Sequence, residues 1–131
     1  MTIQITGEQA QKGVKAMKFV NDQHEQFYET HTNESDENEK KALVYTLGID
    51  DDCRSHFNHL YDTDLNCIRP EGLREGWQTG ASMRITRLAF NFFIWQTVEG
   101  DDPEKYTPYE IFFGMDKMHK NGILLALSYF A

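Results

Sequence analysis

No run of apolar residues in this chain approaches the roughly 20 needed to span a bilayer, so no membrane-crossing helix is expected. Cysteine is scarce: Cys53 and Cys67 alone are too few for a disulfide scaffold. Basic residues are also few, 13 Lys/Arg against 21 Asp/Glu, which leaves a net charge of −8. A chain of that sign repels phosphate at long range, which argues against direct nucleic-acid binding. Neither glycine-rich phosphate cradle, G-x-G-x-x-G or G-x-x-x-x-G-K, occurs, and no cofactor is expected. There is no internal repeat and no hairpin signal. Met1-Thr2-Ile3-Gln4 leads into polar sequence rather than a secretory signal, so the expected compartment is the cytoplasm.

What is present suffices for one domain. The chain has 131 residues, 40% hydrophobic and 13% aromatic, enough for a core without disulfide or metal staples. The charge is uneven: residues 1–67 carry 13 acids and 6 Lys/Arg, net −7, whereas residues 68–131 carry 8 and 7, net −1. The longest apolar block, Leu88 to Trp95, is interrupted only by Asn91. With no face left for water, it is expected to be the buried centre, a helix over about 80–97. Thr79 or Ser82 would cap that helix, and Gly100-Asp101-Asp102-Pro103 would end it.

The other helices are read from caps and spacing. Thr6-Gly7-Glu8-Gln9 fits a capping box ahead of Ala10, Val14 and Met17, giving a helix over 7–18 in an N-terminal extension, residues 1–18. The domain proper then covers 19–131. Asn21 suits the cap of a helix over 22–31. Asp36 and Glu39 have capping-box spacing at the head of a helix over 37–47, which Gly48 would stop in the left-handed conformation. Asp50-Asp51-Asp52 would cap a further helix carrying Cys53, Phe57, Leu60 and Tyr61 and ending near Asp62, with a loop over 62–66. Pro70 opens a short helix to Trp77, and Thr107-Pro108-Tyr109-Glu110 opens another. Asp116 caps the last helix, to Phe130, with a strand over Ile123–Leu127 as the alternative. The whole reads as all-α: a compact single-domain bundle of about six or seven helices around the central one.

Three groups of residues could carry chemistry. Cys53, His56, His59 and Cys67 are zinc-ligating residue types, but Cys-x2-His-x2-His-x7-Cys matches no zinc signature, and no metal site is expected there. Arg84 and Arg87 lie one turn apart at the mouth of the apolar helix. They suit either an anion site, completed by Trp77, Gln78, Thr79 and Asn91, or salt bridges to the abundant acids, and the second is favoured. Asp50, Asp51 and Asp52 are the candidate contacts for a basic partner, with helix capping as their plainer role.

Several blocks resemble an uncharacterised family of short proteins from Firmicutes, their phages and conjugative elements. They are Cys67-Ile68-Arg69-Pro70-Glu71-Gly72-Leu73, Gly76-Trp77-Gln78-Thr79-Gly80 and Thr86-Arg87-Leu88-Ala89-Phe90-Asn91, with Tyr106-Thr107-Pro108-Tyr109-Glu110-Ile111-Phe112 downstream. The likeness covers roughly 19–130, and the Trp-Gln-Thr block is its most specific part. It implies a phage or mobile-element setting and transfers no catalytic residue. With the acidity, it leads to the expectation of a non-enzymatic protein-binding domain. Its partner would be a host protein with a basic surface, such as a nuclease or defence complex. The competing expectation is a small ligand-binding or enzymatic domain with its anion site at Arg84 and Arg87, and a structural zinc protein is the third.

Overall fold

The computed structural model describes residues 17–94, 112 and 114–131. The expected capping box at Thr6–Gln9, the terminator at Gly100–Pro103 and the helix start at Thr107–Glu110 lie outside them. At Met17 and Lys18, the described end of the first expected helix, the chain is not helical.

The described elements are α1 (Asp22–His31), α2 (Asn38–Leu47), α3 (Asp51–Ser55) and α4 (Phe57–Leu60), then the two-residue strands β1 (Tyr61–Asp62) and β2 (Cys67–Ile68). A 3-10 helix (Pro70–Arg74), α5 (Gly80–Ile94) and α6 (Lys117–Phe130) complete them. Among the described residues the fold is all-α apart from one small antiparallel ladder, in which Tyr61 pairs with Ile68 and Asp62 with Cys67.

Three caps act as their side chains dictate. Asn21 accepts from His24 N at 2.9 Å, Asp50 from Cys53 N at 3.0 Å and Asp116 from His119 N at 2.8 Å, each supplying an acceptor to an otherwise orphaned amide. α2 is a correction. Its N-cap position is Glu37 with no side-chain bond, because Asp36 turns back to take Asn33 N and pairs with Lys40 instead. Residues 123–127 lie within α6, so the strand alternative does not hold.

The centre of the core also shifts. Every residue from Ala42 to Leu47 is buried, so α2 is apolar on all sides, and it packs most extensively against α5, then against α6 and α1. α5 is central but one-sided. Ser82, Ile85, Thr86, Ala89 and Phe90 face inward at helical spacing, while Asn91 is exposed and Phe92, Phe93 and Ile94 are only half-buried. The expected burial of the Leu88–Trp95 block is therefore not met over its described part, Leu88–Ile94, where the described neighbours bury one side of the helix.

Gly48 is needed for a different reason from the one its position suggests. Its backbone is right-handed (φ −67°), but a Cβ there would come within 2.9 Å of both His24 Cδ2 and Phe27 Cδ2. The missing side chain lets α1 close onto α2. The helix expected from Asp50 to Asp62 is broken at His56 (φ −115°, ψ 29°), whose ring stacks on Trp77 at 4.1 Å and places Nδ1 2.9 Å from Asp52 O. The loop over 62–66 closes a hairpin. Asp62 Oδ1 accepts from Asp64 N and Leu65 N, and Asn66 takes the left-handed conformation (φ 55°) that asparagine tolerates.

Gly72 seats the 3-10 helix directly on α4. A Cβ there would lie 2.5 Å from His59 O and 2.7 Å from Leu60 Cδ2. Because the obstruction is backbone, Gly72→Ala is expected to cost about 1–3 kcal/mol, read as a lower midpoint in urea unfolding. An unchanged midpoint would show that this contact is not held.

Candidate interaction surface

The residues around Trp77-Gln78-Thr79 come together, but as a structural staple. Thr79 Oγ1 accepts from Ser82 N (3.1 Å), and Ser82 Oγ accepts from Thr79 N (2.7 Å) and donates to Gln78 Oε1 (2.7 Å). Gln78 Nε2 donates to Gly72 O at 3.2 Å. Thr86 Oγ1 donates to Ser82 O at 2.8 Å and lies 3.4 Å from Cys53 Sγ. These bonds tie the 3-10 helix and the first two turns of α5 to α3, with the hydrogen-bonding groups turned on one another rather than on a ligand.

The zinc-type residues separate. Cys53 is fully buried, and desolvation, with the Asp50 charge adding to it, pushes its thiol well above the ordinary range. His56 stacks on Trp77, His59 Nδ1 lies 2.7 Å from Glu75 Oε1, and Cys67 is exposed on the hairpin. Glu75 also accepts from Trp77 Nε1 at 2.7 Å, and those two bonds hold its carboxyl below the usual range. Among the described residues no group of three or more His, Cys, Asp or Glu could hold a metal ion. Arg84 and Arg87 are half-buried and both engaged within the chain. They line neither of the clefts described below.

The Asp50-Asp51-Asp52 triplet divides by depth. Asp51 is exposed beside Arg54, and Asp52 is half-buried. Asp50 is only 6% exposed, so it cannot present its carboxylate to a partner as the triplet's position suggested. Its Oδ1 instead meets His119 Nε2 at 2.8 Å, and His119 Nδ1 meets Asp116 Oδ1 at 2.7 Å. Sequence reading missed His119; the signal was a histidine three residues past an Asp cap, one helical turn into α6.

The surface that does gather exposed charge is α1 and the loop beyond it. From residue 19 to residue 39 there is no Lys or Arg, and there are seven acids: Asp22, Glu25, Glu29, Glu34, Asp36, Glu37 and Glu39. All are exposed except Asp36, which is half-buried. At the C-terminal edge of this acidic apron, two clefts open beside the N-terminal turn of α2. One, about 700 Å³, is formed by Asn38, Glu39 and Ala42 of α2, Leu88, Asn91 and Phe92 of α5, and Phe130 and Ala131 at the end of the chain. The other, about 550 Å³, includes Asp36, Glu37, Glu39 and Lys40 on one side and Phe93 and Ile94 on the other. They share Glu39 and use successive residues of α5. The apolar residues that α5 has in excess of its buried face thus form a floor, and the carboxylates of α2 and the preceding loop form a rim.

Among the described residues no helix is long and apolar enough to cross a membrane. In comparison with known proteins, the family described as "Family of unknown function (DUF6075)" matches residues 14–128. No curated protein and no solved structure matches the chain.

Proposed function

Since the chain belongs to DUF6075, a family of unknown function, no activity comes with membership, and we propose from its surface that it is a non-enzymatic protein-binding domain for a basic protein. The observation that carries this reading is the run of seven acids with no Lys or Arg between residues 19 and 39, with Lys40 at its edge pairing Asp36, set beside an apolar groove. Like charges packed at this density repel one another, and a basic partner relieves that repulsion while being steered toward it. Among the described residues the polar groups of the motif, Gln78, Thr79, Ser82 and Thr86, bond to one another or to backbone, which favours a structural role for them over chemistry. The resemblance to phage and mobile-element proteins extends the proposal to its setting: the partner is a host nuclease or a component of a host defence complex.

The experiment is capture from bacterial lysate by the immobilised protein, paired with assays of host nuclease activity. A basic protein should be retained at low salt and released near 1 M salt, where the screening length falls to about 3 Å. Glu25→Gln/Glu29→Gln/Glu37→Gln/Glu39→Gln should weaken retention at least about tenfold. No retained protein, together with unaltered nuclease activity, would overturn the reading.

A further inference from the structure

We infer that the paired clefts along the C-terminal half of α5 bind an amphipathic helix whose apolar stripe is flanked by Lys or Arg. This inference rests on the protein-binding reading and assigns it a place and a partner chemistry. Three observations converge on it. The floor is apolar and half-open: Leu88, Phe92, Phe93 and Ile94 of α5 are half-buried side chains that no described neighbour covers completely. The rim is acidic on balance: Glu39 borders both clefts and Glu37 the second, where Asp36 is paired with Lys40. The first cleft is walled by α2, α5 and the end of α6, and the second by α5, the head of α2, the loop before it and the hairpin residues Thr63 and Asn66. The one sheet among the described residues has strands of two residues, so it offers no edge for an extended peptide to join.

A helix satisfies that geometry. Its side chains at i, i+3 or i+4, and i+7 form a single ridge that fills a trough between helices. The two clefts use α5 residues 88 to 94, about 9 Å of helix axis at ~1.5 Å per residue, so about two turns of partner span them. Basic residues beside the ridge meet Glu37 and Glu39. An acidic amphipathic helix would meet like charge instead, and a basic segment with no apolar ridge would leave the floor in water.

The test uses fluorescence anisotropy with three labelled synthetic peptides. One is a Leu/Lys helix with a single apolar stripe, the second has the same composition scrambled, and the third is the Leu/Glu counterpart. The first should bind the full-length protein at least about tenfold more tightly than the other two. Asn91→Trp, at an exposed position, fills the first cleft without altering charge, and Glu37→Gln/Glu39→Gln neutralises the rim without filling anything. Each should weaken binding of the first peptide by about tenfold while leaving the circular dichroism and the unfolding midpoint unchanged. If Asn91→Trp binds like the parent, the groove is overturned. Lysate capture that still depends on the α1 acids would then leave the protein-binding reading standing. Equal binding of the Leu/Glu peptide, or of the scrambled one, would also overturn the groove.

Discussion

Asp50→Ala is expected to lower the free energy of unfolding by about 3 kcal/mol or more, the largest loss for any single carboxylate in the described chain. Two roles end together. Asp50 Oδ2 holds Cys53 N at 3.0 Å as the cap of α3, and caps of this kind contribute about 1 kcal/mol. Its Oδ1 holds His119 Nε2 at 2.8 Å, joining α3 to the first turn of α6 across 69 residues of sequence. Both partners are buried, 6% and 9% exposed, so removing one leaves the other with an uncompensated site. Asp116, whose side chain is mostly exposed, can satisfy only the far nitrogen of the ring. Of a stability of about 5–15 kcal/mol, 3 kcal/mol is a large share, and it should appear as a fall of roughly 10 °C in the thermal midpoint. Asp51→Ala is the control. Its carboxylate is exposed, paired with Arg54 only one turn away, and should move the midpoint by no more than about 0.5 kcal/mol. A small loss for Asp50→Ala would mean that α3 and α6 are not coupled through this pair. Neutralising the whole triplet to probe partner binding would therefore destabilise the domain as well as change its surface. The exposed acids of α1 and of the loop after it, Asp36 apart because it pairs with Lys40, are better placed to serve a partner.

That division of one acidic triplet shows where sequence reading stops. Asn21, Asp50 and Asp116 were recognisable as caps because capping is local: it needs one side chain, one amide and a following apolar pattern. The extent of α2 was recognisable for the same reason, whereas residues 123–127 left helix and strand both open until α6 was seen to include them. What could not be read depends on partners distant in sequence. Nothing near Asp50 indicates His119, and nothing near Gly48 indicates that His24 and Phe27 will press against it. The break at His56 needs Trp77, 21 residues on, to stack on the ring. The hairpin escaped because strands of two residues have no alternation to detect. The groove has the most instructive history. The run from Leu88 to Ile94 reads as too apolar to face water, which suggests full burial. The same excess, on a helix covered along one side, instead becomes the floor of a cleft. Hydrophobicity indicated that α5 must be covered and was silent on what covers it.

Two buried histidines held in opposite protonation states set the second prediction, a stability profile that peaks near neutral pH and falls on both sides. His24 is wholly buried and bonded as one neutral tautomer: Nδ1 accepts from Val20 N at 3.1 Å, and Nε2–H donates to Tyr45 O at 2.8 Å. A proton on Nδ1 would break the first bond and charge a dry site, so desolvation lowers its pKa to about 4 despite the favourable Tyr45 carbonyl. His119 has a carboxylate at each nitrogen and is held as the imidazolium. The Asp50 bond outweighs burial, and with Asp116 it raises the pKa to about 9. The signs then follow from linkage. Between pH 6.5 and about 4 the unfolded chain protonates His24 while the fold resists, so stability falls as pH falls. Between pH 6.5 and about 9 the fold keeps the His119 proton that the unfolded chain releases, so stability falls as pH rises. Each limb is worth about 2–3 kcal/mol at its end, from roughly 1.4 kcal/mol per pH unit, with His119 at the lower figure because Asp116 is solvent-screened. Carboxylates held low by their bonds, Asp36, Asp50 and Asp116 among them, steepen the acid side only below about pH 4. Urea midpoints measured from pH 4 to pH 9 should trace the dome. His24→Gln should shrink the limb between pH 4 and 6.5, to which His31, also held low by burial, still contributes, and leave the alkaline one in place, while His119→Gln should shrink the alkaline limb and spare the acid one, each from a lower maximum. Parallel loss of both limbs in either variant would show that the two histidines do not act separately, and that the α1–α2 contact and the α3–α6 pair respond to protons as one unit.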